Sequence, residues 1–283
     1  MDPERDGRGA VHHRSSSPGT TMRLHHRLAV TALLATVAGT AQAQESPRQD
    51  LTAIPVSRSF NLVGIGVGLI PRFSGANESR SMVLPVVRLG WRDKLYWNAL
   101  QAGAWLWDSA DGSLRVGLAV EPRFGWEGEA GTRVEGMEKR AFSVEGGPNI
   151  QWGTPAGVFY ASFYHDLGGA SDASTAQVQF IRVLVGRQPL RLNGLIGLQW
   201  FSARSNDYYF GVRPGEARPG RPAYSPGASV SVQAGVNGSY ALTARGSLLF
   251  GAVLNRIGEA AADSPIVETP WQGVVYTGLG WSF

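Results

Sequence analysis

Apolar and polar residues alternate with a period of two along most of this chain, as in strands whose two faces meet different surroundings. From Ser113 to Glu121, Leu114, Val116, Leu118 and Val120 share one face, while Arg115, Gly117, Ala119 and Glu121 share the other. From Ala228 to Val236, alanines and valines oppose Ser229, Ser231, Gln233 and Gly235. Leu190, Leu192, Ile196, Leu198 and Trp200 oppose Arg191, Asn193 and Gln199. Phe142 and Val144 oppose Ser143, Glu145, Asn149 and Gln151. No long segment outside the N-terminal region carries a helical stripe. The alternation predicts strands over about 58–70, 81–91, 94–107, 113–124, 141–152, 157–166, 176–187, 190–201, 227–237, 239–254 and 271–283.

Most of these segments run ten or more residues, against about five or six in soluble sheets. Such lengths suit strands that cross a bilayer at a tilt. Short turns at Thr154–Gly157, Gln188–Arg191 and Asn237–Ser239 alternate with longer loops near 125–140, 167–175, 202–226 and 255–270. Short turns at one end and long loops at the other is the outer-membrane barrel pattern. One face is apolar with aromatics toward its ends, as lipid requires. The other places Arg115, Glu121, Glu145, Arg191 and Arg245 among Gly and Ser, as a polar lumen network requires. Soluble sandwiches alternate in the same way; strand length and loop asymmetry favour the membrane. The fold expected over 58–283 is an all-β, transmembrane antiparallel β-barrel of about 12 strands, in a range of roughly 10–14.

Bacterial single-chain barrels have even strand numbers, and the segments above number eleven. The connections at Trp91–Lys94 and Asp108–Gly112 both read as short, so a twelfth strand is expected in 48–60 or 125–135. The alternation also breaks phase near Ile181 and Arg182, as at a β-bulge.

The N-terminal region reads as an address. Arg23, His25, His26 and Arg27 form a basic n-region, Leu28 to Gly39 a short apolar core, and Ala41-Gln42-Ala43 a cleavage site. This is a secretory signal peptide, too short for an anchor. The expected organisation is an upstream extension over 1–21, a signal peptide over 22–43 beginning at Met22, a periplasmic segment over 44–57, and the barrel over 58–283.

Composition narrows the chemistry. Charged residues are 17%, there are 37 Gly and no Cys, and mean hydropathy is −0.11. Without Cys there are no disulfides, thiolate metal sites or Cys nucleophiles. The formal charge is +4; removing the five Arg and three acids of residues 1–43 leaves +2. No basic patch with interleaved aromatics exists, so nucleic acid is not an expected partner. Four of five histidines lie before residue 43, and His165 alone cannot build a zinc site. No cofactor or metal is expected.

Several motifs tempt sharper readings. Gly64, Gly66 and Gly68 suggest a dinucleotide loop, but the third glycine of that fingerprint would fall on Leu69. The plain reading puts the glycines inside a barrel and Ile65, Val67 and Leu69 in lipid. His165 beside Asp166, with Ser171 and Ser174 nearby, suggests a serine hydrolase. A triad needs convergence that this spacing does not show, and a lone His at a strand end is commonly an interfacial polar group. Asn206–Tyr224, in the longest loop, combines aromatics, charges and prolines. It is either a solvated rim or a recognition surface, since Tyr and Arg are frequent interface anchors. Asp263-Ser264-Pro265 is a turn initiator.

At the C-terminus, Val275, Thr277, Leu279, Trp281 and Phe283 share a face, with Gly278, Gly280 and Ser282 behind. This resembles the C-terminal signal of outer-membrane barrels, with Tyr276, Gly278, Trp281 and Phe283 at its characteristic places. The resemblance implies recognition by the barrel-assembly machinery.

The stretches from Val63 to Ala76 and Glu135 to Gly147, Asn206 to Val212 followed by Glu216-Ala217 and Ala223-Tyr224, Ala262 to Val267 and the closing aromatic strand resemble the MltA-interacting protein (MipA/OmpV) family. Asp207, Tyr208, Tyr209 and Phe210, with Asp263, Ser264 and Pro265, are the most specific pieces. Phe73 and the closing Trp-Ser-Phe depart from the family pattern, which more often has Tyr there. The resemblance implies a non-enzymatic protein of the Gram-negative outer membrane, in contact with its lipid, and a scaffold joining a lytic murein transglycosylase to a murein synthase. It implies no catalytic residues. Small-solute channel, surface adhesin and a lipid-active enzyme centred on His165 are the other functions to weigh. Murein enzymes are periplasmic, yet the Tyr208 and Ser264 motifs fall on the long-loop, external side. These motifs either brace the barrel mouth or reverse the orientation.

Overall fold

The computed structural model describes residues 61–129 and 132–283. The extension, signal peptide, periplasmic segment and candidate strand at 48–60 therefore lie outside the described residues. Twelve antiparallel strands close into one barrel: β1 Leu62–Pro71, β2 Ser79–Trp91, β3 Leu95–Asn98, β4 Gln101–Asp108, β5 Leu114–Arg123, β6 Ser143–Thr154, β7 Gly157–Asp166, β8 Ser174–Arg187, β9 Leu190–Phe201, β10 Ser229–Ala241, β11 Gly246–Arg256 and β12 Trp271–Ser282. Two short helices, α1 Ala203–Phe210 and α2 Glu259–Ala262, lie in long loops. Among the described residues no helix is long and apolar enough to cross a membrane.

The alternation predicts the two faces correctly. Val63, Ile65, Val67 and Leu69 are exposed on the outer wall, as are Val275, Leu279, Trp281 and Phe283 of the last strand. Inside, glycines make room for large rings. Tyr96 and Trp105 stack with centroids 5.1 Å apart. A Cβ on Gly103 would collide with Tyr96, and one on Gly251 would come within 2.5 Å of the Tyr276 ring. At the seam, Gly64 pairs with Gly280 and Gly66 with Gly278. The two backbones approach there more closely than side chains allow: a Cβ on Gly66 would sit 2.7 Å from the Thr277 carbonyl oxygen.

The twelfth strand of the barrel lies within 94–107. The segment 94–107 is two strands, β3 and β4, folded back at Ala99–Leu100, while 125–135 belongs to a loop. Ala99 adopts φ 50°, a left-handed conformation usually left to Gly or Asn. Because β3 has four residues, only Arg88–Trp91 of β2 pair with it. The Ala99 N–H donates to the Val87 carbonyl at 2.7 Å. By alternation the backbone of Pro85, two residues along, faces the same side, beyond the reach of β3. A proline inside a strand is tolerated there because its missing N–H lies on an edge.

The expected turn at Asn237–Ser239 is also corrected. All three residues lie within β10, and the chain reverses at 242–245. Asn237 is buried and accepts from the Asn193 side chain at 3.0 Å, so an interior hydrogen bond overrides local turn preference. Thr243 Oγ1 closes the true turn by accepting from the Gly246 N–H at 2.7 Å. The bulge expected near Ile181 and Arg182 is found between Val183 and Val185.

Candidate functional site

The long-loop end of the barrel is covered by interlocked loops, the most elaborate arrangement in the molecule. Four loops take part: 72–78, 124–142, 202–228 and 257–270. Phe73, Ala76, Trp126, Val134, Met137, Val212 and Ile266 form a buried apolar cluster outside the barrel wall, with Tyr224 against it. Below it, Tyr209 and Phe210 of α1 pack on Ile257 and Ala261.

Local sequence sets α1. Ser202 caps its start by accepting from the Ser205 N–H, and the Gly211 N–H ends it on the Asp207 carbonyl. The helix turns Tyr209 and Phe210 inward and leaves the Tyr208, Tyr209 and Gly211 carbonyls for partners from other loops. Trp126 Nε1 donates to the Tyr209 carbonyl at 3.1 Å. Ser264 Oγ donates to the Phe210 carbonyl at 2.5 Å. The Tyr208 hydroxyl accepts from the Ala141 N–H at 2.6 Å, and Asp207 accepts from Ser225 Oγ at 2.7 Å.

Arg140 is the hub, 1% exposed. Its Nε donates to the Tyr208 carbonyl at 2.7 Å. Its Nη1 and Nη2 reach the two Glu216 carboxylate oxygens, each at 2.8 Å, and the Glu138 and Gly211 carbonyls at 3.0 and 3.1 Å. All five guanidinium donors are thereby used. The Glu138 and Arg213 N–H groups also donate to Glu216. Burial works against ionisation of Glu216, but the Arg140 and backbone hydrogen bonds outweigh it and hold its pKa at about 2. Burial pushes the Tyr209 hydroxyl up to about 12. Arg221 extends the clasp to the Arg133, Glu135 and Glu216 carbonyls. Loop 72–78 joins through Gln272: the Gly75 N–H donates to its Oε1 at 3.1 Å, and its Nε2 donates to the Ala76 carbonyl at 3.2 Å.

The motif residues Asp207–Phe210 and Asp263–Pro265 thus meet in this cap at the mouth, with Ser264 bonded directly to Phe210. Glu216 belongs to the Glu216-Ala217 piece of the family resemblance, whereas the sequence alone does not single out Arg140 or Trp126. Arg140 lies in the Glu135–Gly147 stretch that carries the family resemblance, a signal that pointed to the segment but not to the residue.

The interior charges form separate clusters. Arg115, near the short-turn end, donates to Asp108 at 2.7 Å and lies 4.8 Å over the Trp105 ring. Glu121 accepts from Gln101 Nε2 at 3.1 Å, and the same amide reaches the Tyr160 and Tyr164 hydroxyls. Glu145, under the cap, accepts from Thr175 Oγ1 at 2.9 Å and lies 3.4 Å from Arg123. Arg191 is exposed at the first turn of β9, and Arg245 is exposed in the 242–245 turn. Arg245 falls outside the interior because the hairpin reverses five residues later than the sequence suggested.

His165 Nδ1 lies 3.0 Å from Ser174 Oγ, and its Nε2 lies 3.4 Å from Asp172, not from Asp166. Asp172 is exposed and paired with Arg204. The Ser174 N–H, which would face a developing oxyanion, donates instead to Ser202 Oγ at 3.1 Å. Asp166 organises its own loop, accepting from the Gly168, Gly169, Ser171 and Asp172 N–H groups. Among the described residues there is no cluster of His, Asp and Glu able to hold a metal ion.

The family described as MltA-interacting protein MipA matches residues 63–283. The MltA-interacting protein of Escherichia coli K12 is 26% identical over 259 residues, spanning 90% of this chain and 98% of that protein. Outer membrane protein OmpV of Vibrio cholerae is 27% identical over 161 residues, covering 56% of this chain and 61% of that protein. Among solved structures, a FadL homologue of Pseudomonas aeruginosa aligns at 8% identity and a TM-score of 0.39, over 78% of this chain and 90% of the other.

Proposed function

This chain belongs to the MltA-interacting protein MipA family, and from that premise we propose that it is a non-enzymatic scaffold holding a murein transglycosylase and a murein synthase at the inner surface of the outer membrane. The chain is an outer-membrane β-barrel; the scaffold role is the step beyond that. The name of the E. coli relative supplies the partner class. The supporting observation is the contrast between the two barrel ends. The long-loop end is locked by Arg140 and Glu216 into a closed cap, so its groups are spent on one another. The short-turn end exposes Arg187, Arg191 and Arg245 on the neighbouring β8–β9 and β10–β11 turns. Periplasmic partners would meet that end together with the segment after Gln44. Arginine forks are suited to acidic partner surfaces.

The orientation this requires places the cap outside the cell, where Tyr208 and Ser264 brace the mouth. A surface locked in this way also argues against a steady channel. The test is affinity capture from cross-linked envelopes, comparing the wild type with an R187E/R191E/R245E triple variant. Capture of murein hydrolase and synthase by the wild type, lost in the triple variant, is the expected result. Failure of the wild type to capture either enzyme overturns the scaffold. Equal capture by both proteins removes the basic turns from the interface. Protease treatment of intact cells carrying Glu216→Gln, in which the cap is unlocked, checks orientation: protection of loop 202–228 from the outside reverses it.

A further inference from the structure

Arg182 carries a charge well inside the strand ends on a wall that is mainly apolar. It lies opposite Gly194, and the row continues through Val236, Ala252 and Val275. Residues directly opposite one another in antiparallel strands point to the same side, and Val236 and Val275 are exposed on the outer wall. Arg182 therefore faces lipid. It stands five residues before the turn-side end of β8. At about 3.3 Å per residue and a tilt of about 45°, that is roughly 12 Å inside the strand end. Arg187 and Arg256, by contrast, are the last residues of their strands. An arginine on the lipid face becomes more unfavourable with depth, and no carboxylate among the described residues pairs with Arg182. The bulge just beyond it, between Val183 and Val185, is a device that re-aims side chains.

The wall beside Arg182 is hollowed. A cleft of about 730 Å³ crosses β8 to β12, from Arg182 and Leu184 to Gly273 and Val275. It is a cleft because small residues recur: Gly194 and Ala252 in the Arg182 row, and Ala234 and Gly273 in the next row up. Five strands about 4.8 Å apart make it roughly 19 Å long, close to one lipid acyl chain. It also climbs. Arg182 is five residues in from the turn-side end of its strand, and Val275 is seven in from Ser282. The cleft thus rises from the charged end toward the middle of the membrane, as a chain anchored at a headgroup does.

We propose that this cleft is a binding site for one glycerophospholipid of the turn-side leaflet, with its phosphate on the Arg182 guanidinium and one acyl chain lying across β9 to β12. The phosphate matches the guanidinium fork in charge and shape, and hydrocarbon matches the apolar lining. The inference is independent of the scaffold reading.

The test is native mass spectrometry of the full barrel, purified in a mild non-ionic detergent and incubated with phosphatidylglycerol or phosphatidylethanolamine. The wild type should retain one phospholipid. Arg182→Gln removes the phosphate partner, and Ala234→Phe fills the cleft while keeping the charge; each should reduce the retained fraction about tenfold. Arg182→Gln takes a charge off a lipid-facing wall, so folding is not at stake in that variant, and heat-modifiable gel mobility verifies both. Undiminished retention in either variant overturns the proposal. So does preferential retention of lipopolysaccharide over phospholipid, or occupation of the cleft by a second copy, seen as a dimer that excludes lipid.

Discussion

Glu216→Gln should open the cap while leaving the barrel closed. Wild-type Glu216 has a pKa of about 2, against 4.5 for an ordinary glutamate. That gap corresponds to roughly 3 kcal/mol of stabilisation. An independent route gives the same size. Removing one partner of a buried ion pair costs about 3–5 kcal/mol. Arg140 keeps the Tyr208, Glu138 and Gly211 carbonyls, which favours the low end. A loss near 3 kcal/mol raises the opening equilibrium of the cap by about 100-fold. The assay is limited trypsin digestion in detergent at pH 8, following cleavage after Arg133 and Lys139, because Arg213, Arg218 and Arg221 each precede a proline. When opening is fast relative to cleavage, the rate tracks the open population, so the variant should be cut about 100-fold faster. Heat-modifiable mobility should not change. The pH dependence supplies a second signature. Because the folded pKa lies below the unfolded one, the stabilisation is fully present above pH 4.5 and is lost as pH falls toward 2. Pepsin sensitivity of the wild-type loop should rise through that window, and Glu216→Gln should be flat there. A variant cut at the wild-type rate, or an equal acid response in both proteins, would refute the clasp.

Three further outcomes are expected. Gly64→Val places a side chain against the Leu279 carbonyl at the seam, and should abolish the heat-modifiable folded band, whereas Val63→Ile on the outer face should not. Ala99→Gly relieves a left-handed alanine and should stabilise the barrel by about 1 kcal/mol, read from its urea midpoint. Deleting Phe283 should leave export and signal cleavage intact but cause periplasmic accumulation; normal membrane insertion would remove the assembly-signal reading.

The barrel was legible in sequence because lipid on one side and a polar interior on the other impose a strict period of two. Legibility failed where a local rule was overridden. Ala99 and Leu100 carry no turn chemistry, so the β3–β4 reversal has no local signal in the sequence, and in the structure it is marked by the left-handed backbone at Ala99. Asn237-Gly238 reads as a hairpin turn, yet Asn237 is held inside by Asn193. The Pro85 clue lay in plain view: a proline inside a long strand implies an edge, and an edge implies a short neighbour. For the cap, the motifs at Tyr208 and Ser264 identified two of the four loops. The Arg140–Glu216 pair, 76 residues apart in sequence, has no local pattern to betray it.

The glycine pairs of the β1–β12 seam have a consequence for how the barrel chooses its register. Side chains normally distinguish one alignment of two strands from another, and a slip of two residues keeps every face correct. Gly64 against Gly280 and Gly66 against Gly278 offer the interior almost nothing to read. The discriminating groups lie elsewhere. Outside, Val63 meets Trp281 and Ile65 meets Leu279 in the lipid. At one end the Phe283 N–H reaches the Asn61 carbonyl, and at the other the Gly75 carbonyl accepts from the Glu268 N–H. The final alignment is thus set from the membrane and the two rims, with the hollow centre as a silent spacer.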